Sequence, residues 1–242
     1  MSKLTQRLLL FFVGVPLVIA IVTVNFCHFL LLAIVNTTFA FLASRELYAL
    51  FSVYTTLPPQ PWIIALATAI PVGAYGIALG GLPFAYITWI LLGSILLVLI
   101  VEAVRRKTFT HANESVALAA LIVLYGGYLM TFVFRITRLE YASYYICCFF
   151  CMVFFCDSGA WLLGMTLGKS NRGLCAVSPN KSIAGFMGGY AGAIAGGIVL
   201  QQLFPAVFGT TVIPAVVLGS CTATAAIVGD LIESLVKRSP DY

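Results

Sequence analysis

Long apolar runs separated by short polar stretches dominate the chain. A helix crosses the roughly 30 Å hydrocarbon core of a bilayer with about 20 apolar residues, and the runs are of that length. They predict helical spans at about residues 8–25, 26–43, 61–79, 84–104, 114–134, 141–167, 183–204 and 209–231. Because the runs do not alternate polar and apolar residues, they are unlike the strands of an outer-membrane barrel. The pattern therefore predicts an all-α, polytopic integral membrane protein with about eight transmembrane helices.

The composition leads to the same class of protein. Of the 242 residues, 62% are hydrophobic and only 9% are charged, whereas soluble domains carry about 25% charged residues. This excludes a water-soluble enzyme and makes the lipid bilayer the first expected partner. The net charge of +5 is spread between the apolar runs rather than gathered in one stripe, so we expect no nucleic-acid partner.

The distribution of lysine and arginine predicts the orientation of the helices. If the N-terminus is cytoplasmic, all but two of the 13 basic residues fall on the cytoplasmic side, and the exceptions are Arg135 and Arg138. Cytoplasmic loops are enriched in Lys and Arg. We therefore expect both termini to be cytoplasmic.

The two parts of the chain differ in their polar content. Spans in the first part hold almost no ionisable residue, whereas polar residues and glycines enter the helices from about residue 150. We therefore divide the chain into N-terminal scaffold helices, residues 1–140, and a motif-bearing region, residues 141–242, within one continuous membrane domain. We expect the chemistry in the second region.

Asp157 is the first candidate residue, because it lies inside a predicted span. It precedes Lys169 by twelve residues, which is roughly 18 Å along a helix. An intramembrane carboxylate is costly and normally faces a water-filled cavity or a partner charge. The alternative is a protonated Asp157 that bonds to a neighbouring helix. Gly164 and Gly168 follow on nearly the same face and would allow another backbone to approach closely.

The loop that follows this span is a candidate anion site. Ser178 followed by Pro179 has the pattern of an N-cap and a first-turn proline, which predicts a helix beginning near Ser178. Free N–H groups at a helix start, together with Lys181, suit a phosphate. Lys169 and Arg172 add charge, although topology alone also places basic residues in such loops.

The end of the last span carries a second group of ionisable residues. At 100° per residue, Asp230, Glu233, Ser234 and Lys237 lie on one helical face. Mg²⁺ favours one or two carboxylates completed by substrate phosphates, and such a face can supply them. The alternative is an amphipathic helix end with an internal ion pair.

These elements together resemble the phosphatidate cytidylyltransferase family, also called CDP-diglyceride synthetases. The order is Asp-x-x-Ala-x-x-x-Gly, Gly-Lys, Ser-Pro-x-Lys-Ser with Gly-Phe-x-Gly-Gly, and finally Gly-Asp-Leu-x-Glu-Ser-x-x-Lys-Arg. The motifs cover residues 157–238, and the resemblance in topology extends over the whole chain. The resemblance implies an enzyme of phospholipid biosynthesis that joins CTP to phosphatidic acid with Mg²⁺, yielding CDP-diacylglycerol and pyrophosphate.

The resemblance also implies roles for individual residues. Asp230 would hold the metal ion, and Glu233 would be a second carboxylate beside it. Three basic catalytic residues would clamp phosphates, and five further residues would bind substrate or line the polar cavity. The catalytic set is Asp230 with these bases, Lys181, Lys237 and Arg238, and the binding set is Ser178, Lys169, Arg172, Ser182 and Asp157. The expected location is the bacterial cytoplasmic (inner) membrane, with the active site facing the cytoplasm.

The sequence departs from the family pattern in two places. Ile183 and Ala184 stand where a Trp-Glu pair is common. The family continues after the Lys-Arg pair with a second metal-binding aspartate and a final helix, whereas this chain ends at Tyr242. We therefore expect little or no activity from this polypeptide alone. A separate polypeptide could supply the segment, and a homodimer is also left open.

Two other functions fit parts of the pattern. A CTP-dependent kinase of a lipid alcohol such as a polyprenol would use the same nucleotide with a different acceptor. A non-enzymatic membrane transporter could use Asp157 and Asp230 as titrating groups. Transporters commonly show inverted repeats, and none is evident in the sequence.

Overall fold

Helices make up the protein, which is described by a computed structural model that covers residues 10–173 and 176–238. The all-α prediction is confirmed, since the described residues form helices and no strand. A π-helical turn, Leu10–Gly14, leads into α1, Val15–Thr23. Seven further helices are long and apolar enough to cross a membrane: α2 Leu30–Phe51, α3 Gln60–Leu79, α4 Ala85–Arg105, α5 Ala112–Ile136, α6 Ala142–Thr166, α7 Ile183–Leu203 and α8 Val212–Arg238. The span predicted at 8–25 begins outside the described residues.

The predicted bounds of the second span are wrong. Instead of covering residues 26–43, the helix begins at Leu30 and continues to Phe51. Hydropathy falls at Arg45 and Glu46, but Ser44, Leu47 and Phe51 continue one buried face past these charges. Packing of this face therefore extends the helix by two turns beyond the apolar run.

The chain forms two compact units, Met1–Ser143 and Tyr144–Tyr242. In the first unit, α5 contains a π-helical turn, Val123–Gly127. A β-carbon on Gly127 would overlap the carbonyl oxygen of Ala67 in α3 and lie 3.0 Å from its α-carbon. Glycine at this point thus allows the α3 and α5 backbones to meet.

A buried ion-pair network closes one end of the first unit. Glu102 in α4 is 2% exposed and pairs with Arg105, at 2.8 Å, and with Arg106. The guanidinium of Arg106 also donates to the carbonyl oxygen of Thr56 at 2.9 Å, and the Ser115 hydroxyl donates to the same oxygen at 3.0 Å. Two residues of the basic Arg105–Lys107 run therefore form ion pairs within the protein.

The described part of the second unit contains three long helices, α6, α7 and α8, and a short helix, Pro205–Phe208. The contacts between the long helices show their relative directions. Gly159 in α6 meets Gly188 in α7, and Gly164 meets Gly185, so α6 and α7 are antiparallel. A buried cluster packs α6 against α7 and α8, and it consists of Cys148, Met152, Cys156, Ala193 and Ala223.

The direction of α8 follows from two further contacts. Gly197 in α7 meets Ala215 in α8, and the start of α7 faces the C-terminal part of α8, where Gly189 meets Ile227. The end of α6, the start of α7 and the end of α8 therefore lie at one end of this unit. That end carries the predicted motifs.

Candidate functional site

The loop between α6 and α7 folds back on itself before α7 begins. Arg172 and Ser182 form a short antiparallel bridge. Beside it, the N–H of Gly173 donates to the carbonyl oxygen of Lys181 at 3.2 Å. Lys169 and Arg172 have exposed side chains. The bridge therefore holds the loop, with its basic residues, at the start of α7.

The predicted start of the helix near Ser178 is wrong. The helix α7 begins at Ile183, and its N-cap is Ser182, whose hydroxyl accepts from the N–H of Gly185 at 3.1 Å. Ser178 instead begins a turn, and its carbonyl oxygen accepts from the N–H of Lys181 at 3.0 Å. Serine followed by proline is as favourable for the first two positions of a turn as for a helix start.

Lys181 and Asp230 form an ion pair at the centre of this end. The Lys181 ammonium contacts Oδ2 of Asp230, 49 positions later in the chain. The side chain of Lys181 is 20% exposed, and that of Asp230 is 59% exposed. The ammonium also lies 6.0 Å from the centroid of the Phe186 ring. The pair thus joins the turn before α7 to the last turns of α8 and stays accessible from one side.

A second ion pair lies one turn further along α8. Lys237 donates to Oε1 of Glu233 at 2.6 Å, and both side chains are exposed. This is the internal ion pair of the alternative interpretation of this helix end. The same face carries Asp230, because Asp230 and Glu233 are three residues apart on a helix. Arg238 is exposed at the last described position of α8.

The end of the second unit has an excess of positive charge. Among the described residues, five basic residues and two carboxylates lie on the segments that meet here: Lys169, Arg172, Lys181, Lys237 and Arg238 with Asp230 and Glu233. Such an excess attracts polyanions and raises the local concentration of anionic ligands. The arrangement is suited to binding phosphate groups.

Asp157 lies deeper in the unit than the Lys181–Asp230 pair. Its neighbour Cys156 contacts Gly189, which is six residues after Ile183, or about 9 Å along α7. The Asp157 side chain is exposed on the surface of the helical unit. The close helix approach predicted for Gly164 is confirmed, since a β-carbon there would lie 3.6 Å from the α-carbon of Gly185.

Two polar features of this region were missed in the sequence. Oδ1 of Asn171 is buried without a hydrogen-bond partner among the described residues, beside the bridge. Deeper in the unit, the hydroxyl oxygens of Tyr190 and Thr224 are 2.8 Å apart and join α7 to α8. No charge or motif marks these residues, so only their spatial neighbours reveal them.

The described residues contain no group of three or more His, Cys, Asp and Glu side chains that could hold a metal ion. The carboxylates of Asp230 and Glu233 are each paired with a lysine. A divalent ion bound here would thus have at most two carboxylates from the described residues and would need other oxygen ligands. Mg²⁺ in phosphate-transferring enzymes is held in this manner, by one or two carboxylates and substrate phosphates.

Comparison with known proteins relates the whole chain to one family. Residues 5–241 match the sequence model of the cytidylyltransferase family. A phosphatidate cytidylyltransferase of Bacillus subtilis (strain 168) is 32% identical to this chain over 156 residues. The aligned part is 63% of this chain and 55% of the relative, so the chain spans about half the length of the curated relative it matches.

Proposed function

This chain belongs to the cytidylyltransferase family, and we propose that it is a phosphatidate cytidylyltransferase of the membrane. It would join CTP to phosphatidic acid and give CDP-diacylglycerol and pyrophosphate. The observation that carries this proposal is the Lys181–Asp230 ion pair, which unites two distant motifs at one basic end of the helical unit. A cation for phosphate and a carboxylate for a divalent ion lie there side by side.

The reaction is an in-line displacement at the α-phosphorus of CTP. An oxygen of the lipid phosphate forms a new bond to this phosphorus, while the bond from the α-phosphorus to the bridging oxygen of the β-phosphate breaks. The electron pair leaves with pyrophosphate. The protein must therefore align two polyanions and neutralise the charge that grows on the leaving group.

Lys181 is suited to the triphosphate, because its ammonium is a compact charge with three donors and lies at the start of α7. Lys237 and Arg238 would add positive charge from α8, with Lys169 and Arg172 on the facing loop. The positive end of the α7 dipole adds to this field. Because the described residues of this end include five bases and two carboxylates, its charge is positive without a bound cation.

Serines 178 and 182 would act in different ways. Ser178 begins the turn that carries Lys181, so it would shape the nucleotide loop. Ser182 is 3% exposed, and its hydroxyl is used in the N-cap. We therefore assign Ser182 a positioning role: it would hold the start of α7 rather than contact the substrate. Asp157, about 9 Å deeper, would line the path of the lipid headgroup.

Asp230 would hold Mg²⁺, with Glu233 as the second carboxylate. The residues fit the ion, since exposed carboxylates three residues apart on a helix can be completed by phosphate oxygens and water. When bound, Mg²⁺ would neutralise charge on the phosphates and fix their orientation. Both lysine partners would then be available to the phosphates.

We further propose that this end faces the cytoplasm of a bacterial cell from its inner membrane, with both termini on the cytoplasmic side. Eleven of the 13 Lys and Arg residues support this orientation by the positive-inside rule. CTP is a highly charged nucleotide and would reach the site from that compartment. Assembly with a second copy or with a separate polypeptide stays a prediction.

The test uses purified chain in lipid nanodiscs with phosphatidic acid, Mg²⁺ and CTP labelled either in the cytosine ring or in the γ-phosphate. The expected product, with a family-type C-terminal segment supplied as described below, is a lipid that carries the cytosine label. Asp230→Asn should abolish it, and the matched control Glu140→Gln, an exposed acid of the first unit, should not. A lipid that carries only the γ-phosphate label, with an added polyprenol, would identify the kinase instead.

The same assay is repeated with a family-type C-terminal segment co-expressed. Product that forms only with this segment would support the expectation that the 242-residue chain needs a further part. No labelled lipid in either arm, from protein shown to be folded, would contradict the proposed function.

A further inference from the structure

We propose that Lys181 competes with the divalent cation for Asp230, so that arrival of the cation releases the lysine to the phosphates. This inference rests on the proposed function and concerns the order of events at the same site. In the structure, the ammonium of Lys181 contacts the carboxylate of Asp230. When a divalent cation binds to this carboxylate, it would replace the ammonium, which would then contact phosphate oxygens.

The geometry of the pair carries the argument. The ammonium lies against Oδ2 of Asp230, so this oxygen and the space beside it are occupied by a positive charge. A divalent cation at the same carboxylate would lie close to the ammonium, and two cations at that separation repel each other. The ammonium of Lys181 therefore lowers the affinity of the Asp230 carboxylate for the cation, and the cation lowers its affinity for the ammonium.

The exchange needs only a side-chain movement. Asp230 is fixed in α8. The ammonium of Lys181, in contrast, is at the end of a flexible side chain of four methylene groups that extends from the turn before α7. The carboxylate is 59% exposed, so a cation can reach it while the lysine is still bound. A freed ammonium has three donors and no acceptor, so phosphate oxygens are its natural new partners.

The neighbouring carboxylate, that of Glu233, is also paired with a lysine. Glu233 holds the ammonium of Lys237 at 2.6 Å. Both carboxylates among the described residues at this end are thus paired with lysines, and a cation that binds to either would free a positive charge. Binding of the cation and binding of the triphosphate would then strengthen each other, as linked equilibria require.

The experiment measures Mn²⁺ binding by electron paramagnetic resonance, with purified full chain in nanodiscs of zwitterionic lipid and no nucleotide. Lys181→Met removes the competing charge and keeps the length of the side chain. We expect its Kd for Mn²⁺ to be about twofold to fivefold lower than that of the wild type, since an ion pair with an accessible carboxylate contributes up to about 1 kcal/mol. Lys181→Arg keeps the charge and should bind Mn²⁺ as the wild type does.

Two controls make the result specific. Lys107→Met removes the same charge from an exposed position in the first unit and should leave the Kd unchanged. Asp230→Asn should abolish the site. Each variant is first compared with the wild type by size exclusion and circular dichroism, and Lys181→Arg serves as the folded reference for this position.

The outcomes separate this inference from the function. Equal Kd values for the wild type and Lys181→Met, with binding lost in Asp230→Asn, would overturn the competition and keep the metal site. Unchanged binding in Asp230→Asn would overturn both the site and the competition. Formation of the cytosine-labelled lipid is measured separately, so its failure would contradict the function and leave the Mn²⁺ result intact.

Discussion

Tyr190 and Thr224 join α7 to α8 through their hydroxyl groups, whose oxygens are 2.8 Å apart. Thr224 also donates to the carbonyl oxygen of Ser220 at 2.9 Å, which orients its hydroxyl along α8. Tyr190 lies seven residues after Ile183, so the contact is roughly 10 Å from the start of α7. The contact thereby links α8, which carries Asp230, to α7, whose preceding turn carries Lys181.

Removal of this hydrogen bond should weaken the second unit only slightly. Interhelical hydrogen bonds in membranes contribute about 0.6 kcal/mol on average, with a maximum near 1.7. We expect a coupling energy in this range from Tyr190→Phe, Thr224→Val and the double variant, measured by unfolding with sodium dodecyl sulfate in mixed micelles. Additive losses in the double variant would show that the two hydroxyls do not interact.

Ser182 and Ser178 should differ in their effect on stability. Ser182→Ala removes the N-cap of α7, and loss of such a cap costs about 1 kcal/mol. Ser178→Ala is the matched control, because the contact of Ser178 is made by its backbone carbonyl, which alanine keeps. The same unfolding measurement compares them. A larger loss for Ser178→Ala would reverse the assignment of the cap.

The positions of the helices could be predicted from the sequence, because each long apolar run must lie in lipid as a helix. The helices α3 to α7 begin and end close to the predicted limits, whereas α8 continues to Arg238, past the predicted end at residue 231, and α2 continues to Phe51. The extension of α2 depends on a buried face that continues through Ser44 and Leu47, and hydropathy along the sequence does not reveal such a face.

The contacts within the candidate site could not be predicted from the sequence. Lys181 and Asp230 each have a recognisable motif, but their contact depends on the antiparallel order of α7 and α8. The choice of Ser182 over Ser178 as the cap depends on the bridge to Arg172. Both features are tertiary, so patterns within one segment could not specify them. The metal role of Asp230 stays a prediction.

The buried Glu102 should be important for the stability of the first unit. Its carboxylate is 2% exposed and pairs with Arg105 and Arg106. Removal of one partner of a buried pair leaves uncompensated charge and typically costs 3–5 kcal/mol, and the partial exposure of Arg105 reduces this to about 3 kcal/mol for Glu102→Gln. Detergent unfolding monitored by circular dichroism measures the loss.

The control for Glu102 is a histidine–carboxylate contact of similar spacing on the surface. Glu114 contacts His111 at 3.0 Å, and both side chains are more than half exposed. Exposed pairs contribute about 0–1 kcal/mol, so Glu114→Gln should change little. Similar losses for the two variants would mean that Glu102 is not held in a buried network.

Gly188 in α7 should not accept a side chain, because it lies against the backbone of α6. A β-carbon there would overlap the carbonyl oxygen of Gly159 and lie 2.9 Å from the β-carbon of Leu163. A backbone cannot move aside as a flexible side chain can, so α6 and α7 would have to separate. Gly188→Ala should therefore cost about 1–3 kcal/mol, the usual range for overpacking.

Separation of α6 and α7 should also reduce the proposed activity, because the loop that carries Lys181 connects these two helices. The matched control is Gly93→Ala in α4, where a β-carbon would meet nothing within 4 Å. Alanine favours a helix interior over glycine by about 1 kcal/mol, so this variant should be neutral or slightly stabilised. Gly188→Ala with wild-type unfolding and wild-type turnover of cytosine-labelled lipid would show that the close contact of α6 and α7 is not required.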